Sequence, residues 1–279
     1  MQIFMMRIGL LAAALALSAT AAQAANISGT ISSTKTIKEN SQLTGDVRCT
    51  LTGAPCIQFG VGGITLNLNG FTMTGNGGVN SCTLSVNEEA IDTEGFDNVS
   101  ILGPGIVKQF QGTAIMVRSD ATSVQQVVVL SSCANGIEVQ GAYNNIYANT
   151  VDRSNLGVSG GLAGIFIYEG EANLITKNEV AGATYAIGVS PISNNNDIEQ
   201  NNASGVYSDS WGINIGRPAA GNQVLYNQET APVTSEITIP QARTTLPTIS
   251  APHPMSAEQI SARLTASWAI KSQTERDLV

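Results

Sequence analysis

The chain has 279 residues, of which only 12% are charged, and its formal net charge at pH 7 is −8. This acidic balance excludes the basic face that nucleic-acid binding requires, and it disfavours simple binding of a polyuronide, since like charges repel unless cations mediate. The charged fraction is about half that of an average soluble protein, but the apolar residues keep a regular rhythm, which indicates a folded chain.

The first 24 residues have the pattern of a secretory signal peptide. Arg7 is their only charged residue, small and apolar residues follow at 8–17, and Ala22-Gln23-Ala24 fits an A-x-A cleavage site. The apolar run is shorter than the roughly 20 residues that span a bilayer, and no later stretch is long and apolar enough. We therefore predict a signal peptide at residues 1–24, no membrane span, and a mature chain that is secreted or periplasmic.

Residues 25–56 are predicted to form an N-terminal cap segment. Ile27, Ile31 and Ile37 alternate with serine and threonine, which is typical of short strands. Such a segment would cover the first coil of a repeat protein, whose backbone groups would otherwise form a bare edge.

Four cysteines remain after export, and in an oxidising compartment an even number predicts disulfides. Three pairings are possible. We favour Cys49–Cys56, because it closes a small loop that contains a glycine and a proline, and Cys82–Cys133 then follows by elimination. A metal site is disfavoured, since no CxxC motif is present and the only histidine, His253, lies far away in the sequence.

A repeat is predicted from residue 57 to residue 230. Residues 64–70, ITLNLNG, alternate apolar and polar side chains, which indicates a half-buried strand followed by an Asn-Gly turn. A phrase of the form Ile-x-Val or Ile-x-Ile then recurs at spacings of 24, 22, 28, 22 and 26 residues, with a looser first member. Its members begin at Ile91, Ile115, Ile137, Ile165, Ile187 and Ile213.

A second phrase, Asn-x-Ile/Val-x-x-Asn, occurs four times, with starts 29, 23 and 26 residues apart. Each coil therefore holds two recognisable short strands and a third, less regular one, and the crossover has no room for a helix. Parallel strands joined without helices predict an all-β chain folded as a parallel β-helix. The four phrases begin at Asn144, Asn173, Asn196 and Asn222.

The last asparagine of each phrase is predicted to form a structural ladder. Each side-chain amide would donate to the next carbonyl along a stack with a spacing of about 4.8 Å. Asparagine would also accept the left-handed backbone bend of the corner. The ladder consists of Asn149, Asn178, Asn201 and Asn227.

Residues 57–230 resemble the right-handed parallel β-helix family of the pectate-lyase-like, or pectin-lyase-like, type. The resemblance is carried by ITLNLNG, by NVSILGPG at residues 98–105, and by the two repeated phrases. It implies a right-handed, single-stranded β-helix and the company of polysaccharide lyases, hydrolases and epimerases. The DPHE tetrad of the mannuronan epimerases and the acidic and His-Gly signatures of polygalacturonases are absent, so the resemblance implies no particular reaction.

Residues 231–279 lose the rhythm and are predicted to be a proline-rich tail with a short helix across 257–270. Ser256 is placed to cap this helix, and Ile260, Leu264 and Trp268 would form one apolar stripe along it. The tail is interpreted as a loosely ordered or docking segment, with a partner-binding helix as the alternative.

The repeat also predicts which side chains point outward on one sheet, because residues between two inward positions of a strand face out. One outward column is Asp92, Met116, Glu138, Phe166, Gly188 and Asn214. The neighbouring column is Glu94, Arg118, Gln140, Tyr168, Ser190 and Gly216.

The charged and aromatic members of these columns form the predicted site. Arg118 would stabilise a sugar carboxylate or a developing charge, Glu138 or Glu94 would move a proton, and Tyr168 would act as acid, base or hydrogen-bond partner. The alternative interpretation is a surface ion network in which Arg118 lies between Glu94 and Glu138.

The predicted substrate contacts are Phe166 and Tyr168, which offer a sugar-stacking surface, and Asp92. A glycine-rich loop at residues 152–164 would form a wall beside them.

An acidic run is a weaker candidate for a calcium site, since hard cations prefer several oxygen ligands. Calcium would also answer the repulsion of an acidic substrate. The spacing matches no known ligand loop, so a solvated acidic face is the favoured alternative. The candidate ligands are Glu88, Asp92 and Glu94, within a run that also contains Glu89 and Asp97.

Together these features predict a secreted or periplasmic, monomeric β-helix protein that binds a polysaccharide on the outer face of one sheet. If the protein is an enzyme, it is expected to be a polysaccharide lyase or a glycoside hydrolase. The alternative is a non-enzymatic surface, scaffold or adhesion solenoid.

Overall fold

The computed structural model describes residues 24–77, 82, 87–152, 163–181, 184–204 and 211–230. Most of the predicted signal peptide, residues 153–162 of the glycine-rich loop, and the proline-rich tail with its helix at 257–270 lie outside the described residues. No helix able to cross a membrane occurs within the described ranges.

The described residues form short strands joined by turns. In chain order these are β1 (Ala25–Ile31), β2 (Lys35–Ile37), β3 (Ser41–Cys49), β4 (Ile57–Phe59), β5 (Thr65–Asn67), β6 (Thr72–Thr74), β7 (Ile91–Asp92), β8 (Ser100–Lys108), β9 (Ile115–Val117), β10 (Ser123–Leu130), β11 (Ile137–Ala142), β12 (Asn145–Tyr147), β13 (Thr150–Asp152), β14 (Ala163–Glu171), β15 (Leu174–Thr176), β16 (Glu179–Ala181), β17 (Tyr185–Val189), β18 (Asp197–Glu199), β19 (Asn202–Ser204), β20 (Trp211–Ile215), β21 (Gln223–Leu225) and β22 (Gln228–Thr230).

These strands build three faces, and neighbouring strands pair in parallel throughout. Face 1 runs β1-β3-β5-β8-β10-β12-β15-β18-β21, and face 3 runs β2-β4-β7-β9-β11-β14-β17-β20. Face 2 contains β6, β13, β16, β19 and β22, together with the C-terminal halves of the long strands β3, β8 and β10. The all-β, right-handed parallel β-helix predicted from the repeats is confirmed, and face 2 is the third strand expected in each coil.

The core consists of side chains stacked coil upon coil. On face 3 the paired residues Ile57, Ile91, Ile115, Ile137, Ile165 and Ile187 are fully buried. On face 1 the equivalent column is Leu66, Ile101, Val124, Ile146, Ile175 and Ile198. Each fully buried aliphatic side chain contributes about 1.5–3 kcal/mol, so repetition of one residue type provides most of the driving force for the stack.

The corner between face 1 and face 2 carries the predicted asparagine ladder. Asn149 Nδ2 donates to Asn178 Oδ1 at 3.0 Å, Asn178 Nδ2 to Asn201 Oδ1 at 2.9 Å, and Asn201 Nδ2 to Asn227 Oδ1 at 3.0 Å. A second ladder, through Asn173, Asn196 and Asn222, flanks the other end of the same strands.

The predicted left-handed bend is present, but the asparagine does not make it. The residue before each ladder asparagine has positive φ instead, since the asparagine must point its amide inward along the stack. These residues are Ala148, Lys177, Gln200 and Tyr226, with φ between 54° and 56°. The Asn-Gly turn is confirmed at Asn69 and Gly70, which both have positive φ.

Both predicted disulfides are confirmed, as Cys49–Cys56 and Cys82–Cys133. The first joins the end of β3 to the residue before β4, within one coil. The predicted cap segment, residues 25–56, supplies β1 to β3, and β1 and β2 are the terminal strands of their sheets. Its boundary as a separate segment stays a prediction.

Candidate functional site

The first predicted outward column is a continuous row of paired residues on face 3, which we call the outer strip. Asp92 pairs with Met116, Met116 with Glu138, and Glu138 with Phe166. Phe166 then pairs with Gly188, and Gly188 with Asn214. Gln58, which the sequence pattern missed, precedes Asp92 in the row.

The two ends of the outer strip differ in accessibility. Asp92 and Met116 belong to this row but are only 1% and 6% exposed, whereas Glu138 and Phe166 are half-buried. A ligand that approaches face 3 therefore meets the strip from Glu138 onwards.

The second predicted column is interrupted. Glu94 lies in the exposed turn after β7, with φ of 52°, rather than on the strand. Ser190 is buried, with its Oγ 2.9 Å from Ser193 Oγ, so its predicted outward position is wrong. Both residues follow the last paired position of their strands, where the chain turns and the alternation of a strand no longer holds.

Arg118 is the centre of an ion network beside the outer strip. Its guanidinium donates to Asp92 Oδ2 and lies 3.5 Å from Glu89 Oε1. Asp92 also accepts the backbone N–H of Glu94 at 2.8 Å. The network expected from the sequence is therefore real, but the acidic partners recorded for Arg118 are Asp92 and Glu89 rather than Glu94 and Glu138.

Glu89 is the residue of this site that sequence reasoning did not single out. Its side chain is 1% exposed, and burial raises the pKa of its carboxyl, which the Arg118 charge opposes and the Glu138 and Glu94 charges reinforce. Glu89 precedes strand β7, so the alternation of that strand gave no information on where its side chain points. In the sequence, Glu89 was noted only as a member of the acidic run.

Glu138 is held by neutral donors. Asn135 Nδ2 donates to Glu138 Oε2 at 2.8 Å, and Gln140 Nε2 donates to Glu138 Oε1 at 2.8 Å. Thr113 Oγ1 lies 3.4 Å from Glu138 Oε2. These bonds fix the orientation of a carboxylate for which the described residues supply no cationic partner.

Two aromatic rings follow Glu138 on face 3. The centroids of Phe166 and Tyr168 are 6.0 Å apart with the rings tilted by 32°, and Tyr168 is 40% exposed. A Cβ at Gly188 would lie 3.0 Å from the Phe166 ring, so glycine leaves the room that this ring occupies. The pair forms an accessible apolar surface bordered by a carboxylate, which suits the apolar face of a sugar ring.

The acidic run does not converge on one point. Glu88 Oε1 accepts the backbone N–H of Gly53 at 2.8 Å, Asp92 is bound to Arg118, and Glu94 lies in an exposed turn. Within the described ranges, no group of three His, Cys, Asp or Glu side chains is placed to hold a metal ion. The structure therefore gives the calcium candidate Glu88, Asp92 and Glu94 no support.

A family model described as NosD, periplasmic copper-binding protein, matches residues 24–208 of the chain. No curated protein matches this chain. Among solved structures, full-length tailspike protein 2 from an Escherichia coli O157:H7 bacteriophage is similar with a TM-score of 0.47 and 11% identity, over 72% of this chain and 34% of the tailspike. The Dettilon tailspike protein is similar with a TM-score of 0.44 and 15% identity, over 72% and 43% of the two chains. The chain thus spans about a third to two fifths of the length of these tailspikes.

The described residues do not fit a copper site. Copper in proteins is bound mainly by thiolate, thioether and imidazole groups. The four cysteines are joined in disulfides, Met73 and Met116 are buried, and histidine is absent from the described ranges.

Proposed function

The chain belongs to the NosD family, and on this basis we propose that it is an exported, periplasmic β-helix protein that binds a polysaccharide along the outer strip of face 3. Two disulfides among the described residues fit an oxidising compartment outside the cytoplasm. The observation that carries the proposal is the Phe166–Tyr168 pair, half-accessible and bordered by the ordered carboxylate of Glu138.

Binding follows from the chemistry of these groups. An aromatic ring contacts the apolar face of a sugar, while carboxylate and amide groups accept and donate hydrogen bonds to its hydroxyls. The strip runs across strands about 4.8 Å apart, so an extended polymer lying along it meets a new side chain in each coil. Glu138 and Gln140 supply the polar contacts, and Phe166 and Tyr168 the stacking surface.

Turnover is the second candidate function, and the orientation of Glu138 favours it. Of the catalytic candidates from the sequence, Arg118, Glu94, Glu138 and Tyr168, the arginine is already paired with Asp92 and Glu89 and offers little free charge to a sugar carboxylate. Glu138 lies on the accessible part of the outer strip, and two amides orient its carboxylate, so it can act as a general base. A hydrolase that uses Glu138 is therefore a better enzymatic hypothesis than a lyase that uses Arg118.

A binding assay tests the proposal. The full exported chain is titrated with a panel of soluble glycans, and Tyr168→Ala is expected to weaken binding of any ligand about tenfold, since aromatic contacts of this kind contribute about 1.5 kcal/mol. The matched control is Tyr143→Ala, which removes an exposed tyrosine from a corner of the same helix. Release of reducing ends in the same samples would identify turnover. The proposal fails if no glycan binds, or if the two substitutions weaken binding equally.

A further inference from the structure

We propose that the outer strip selects glycans that carry free amino groups and rejects polyuronides, with Glu138 as the residue that determines this specificity. The inference rests on the proposed function, because it names the class of polysaccharide that the same strip would bind.

The first argument is the local balance of charge. Among the described residues, Arg118 is the basic side chain beside this part of the outer strip, and its single charge is already paired with the carboxylates of Asp92 and Glu89, both almost fully buried. Glu138 remains, bound by an amide of Asn135 and an amide of Gln140. The accessible part of the strip is therefore negative, which repels a uronate and attracts an ammonium group.

Basic side chains on the other faces do not change this balance. Lys108 is the last residue of β8, on face 2, and Lys177 lies at the corner of faces 1 and 2 with its Nζ 5.4 Å from the centre of the Tyr147 ring. Neither residue belongs to face 3. Lys35 does, on β2, but β2 lies four strands before β11, roughly 19 Å from Glu138 at the strand spacing. Within the part of the chain that the structure describes, a uronate beside Glu138 would therefore lack a cationic partner.

The second argument is the pairing register. Glu138 lies directly opposite Phe166 on the neighbouring strand, and the Phe166 ring is kept in place over Gly188. A carboxylate and an aromatic ring at the strand spacing of about 4.8 Å can share one ammonium group, through an ion pair on one side and a cation–π contact on the other. The amides of Asn135 and Gln140 donate to Glu138, so its carboxylate is already oriented before a ligand arrives.

The test compares oligosaccharides of equal length at mildly acidic pH, where sugar amines carry a proton. The probes are chitosan oligomers, their fully N-acetylated chitin counterparts, and oligogalacturonate. The wild-type chain is expected to bind the chitosan oligomer about tenfold more tightly than the chitin oligomer and not to bind oligogalacturonate. Glu138→Gln is expected to remove the preference for the amine, so that the tenfold ratio between the affinities for the chitosan and chitin oligomers falls to about one.

Two controls separate a local effect from the net charge and from misfolding. Glu179→Gln also removes one negative charge, but from an exposed residue of face 2, so this variant should keep the preference for the amine. High salt should abolish the preference in the wild-type chain itself, which needs no variant. Equal binding of the amino and N-acetyl oligomers by the wild type, or an equal loss in Glu179→Gln, would overturn the specificity but leave the proposed function standing. Absence of binding to every glycan would overturn the proposed function instead.

Discussion

The guanidinium of Arg118 contacts the carboxylates of Asp92 and Glu89. The arginine side chain is one-third exposed, whereas both carboxylates are almost fully buried. A buried carboxylate without a cation must either keep its charge in a poor solvent or take up a proton. Removal of Arg118 would therefore lower stability mainly because it leaves Asp92 and Glu89 buried without a cation. The net contribution of the ion pairs themselves is the smaller effect.

Arg118→Ala is expected to lower the free energy of unfolding by about 2 kcal/mol, below the 3–5 kcal/mol of a fully buried pair because the arginine is partly exposed. Urea unfolding measures the loss, with Arg48→Ala as the control, since Arg48 is an exposed arginine of β3. The loss should shrink in acid, because burial raises the pKa of Glu89 and a protonated carboxyl needs no cationic partner. A loss that does not change with pH would contradict this account.

Glu229 occupies a position where the fold expects an aliphatic residue. It pairs with Ala203 at the end of the interior column Met73, Val107, Val129, Val151, Val180 and Ala203. A Cβ at Gly212 would lie 3.0 Å from Glu229 Oε2, so the carboxylate reaches across the core towards face 3. Burial raises the pKa of this carboxyl above its ordinary value of 4.5.

Glu229→Gln is expected to stabilise the chain at neutral pH by roughly 0.5–2 kcal/mol. Well below pH 4.5 the carboxyl of Glu229 is protonated in both the folded and the unfolded chain, so it does not lower the free energy of unfolding there. Stability then falls as the pH rises, since the unfolded chain releases its proton first, and it levels off above the folded-state pKa.

Subtraction of the unfolding curves of wild type and variant over pH isolates this contribution. Glu89 has a raised pKa too and produces its own fall in both proteins, so it cancels in the difference. A variant that is less stable than the wild type at neutral pH would show that Glu229 has a stabilising partner.

At the scale of single elements, the asparagine ladder couples each coil to the next. Asn178 accepts from the backbone and side chain of Asn149, and donates to Ile146 O and Asn201 Oδ1. The ladder asparagines Asn149, Asn178 and Asn201 are almost fully buried, so removal of one amide leaves several polar groups unsatisfied at once.

Asn178→Ala is expected to cost about 3 kcal/mol of unfolding free energy, because it orphans donors and acceptors on both neighbouring coils. Asn202→Ala is the matched control, since Asn202 is exposed on β19 and its loss should change stability by less than about 0.5 kcal/mol. Thermal and urea unfolding of both variants make the comparison. Equal losses would mean that the ladder contributes no more than a surface amide.

The elements also show where sequence reasoning holds and where it stops. Within strands the alternation is strict, so the row from Asp92 to Asn214 followed from the Ile-x-Val register alone. In turns the backbone leaves that alternation, and the positions of Glu89, Glu94 and Ser190 did not follow from it. The ladder was predictable because asparagine recurs, but the left-handed residue before it was not, since alanine, lysine, glutamine and tyrosine share no propensity for it.

At the scale of the whole molecule, the chain is a stack in which each coil contacts its neighbours, so stability depends on interfaces between coils and on the ends. The right-handed parallel β-helix fold was predictable from repetition, because the same apolar and asparagine phrases recur in successive coils, whereas the NosD family itself was not predicted. The specificity of the site was not, because it depends on side chains that occur once.

The two disulfides act on this stack over different lengths of chain. Cys49 and Cys56 are separated by 7 residues, Cys82 and Cys133 by 51. In the loop-closure account, a crosslink destabilises the unfolded chain more when its loop is longer, by about 2 kcal/mol for the short loop and about 4 kcal/mol for the long one. The longer loop also encloses β7 to β10, so its closure holds the coils that carry Asp92 and Arg118 together.

Paired Cys→Ala variants of each disulfide are therefore expected to rank in this order, with the Cys82/Cys133 pair losing about 2 kcal/mol more than the Cys49/Cys56 pair. Cys49, Cys56 and Cys133 are buried and Cys82 is half-buried, so the new alanines of the two variants differ in burial at one position only. Urea unfolding under oxidising conditions gives the two losses, and the reduced wild type should match their sum if the loops act independently. Equal losses, or a larger loss for the short loop, would show that the disulfides stabilise the folded coils directly rather than restrict the unfolded chain.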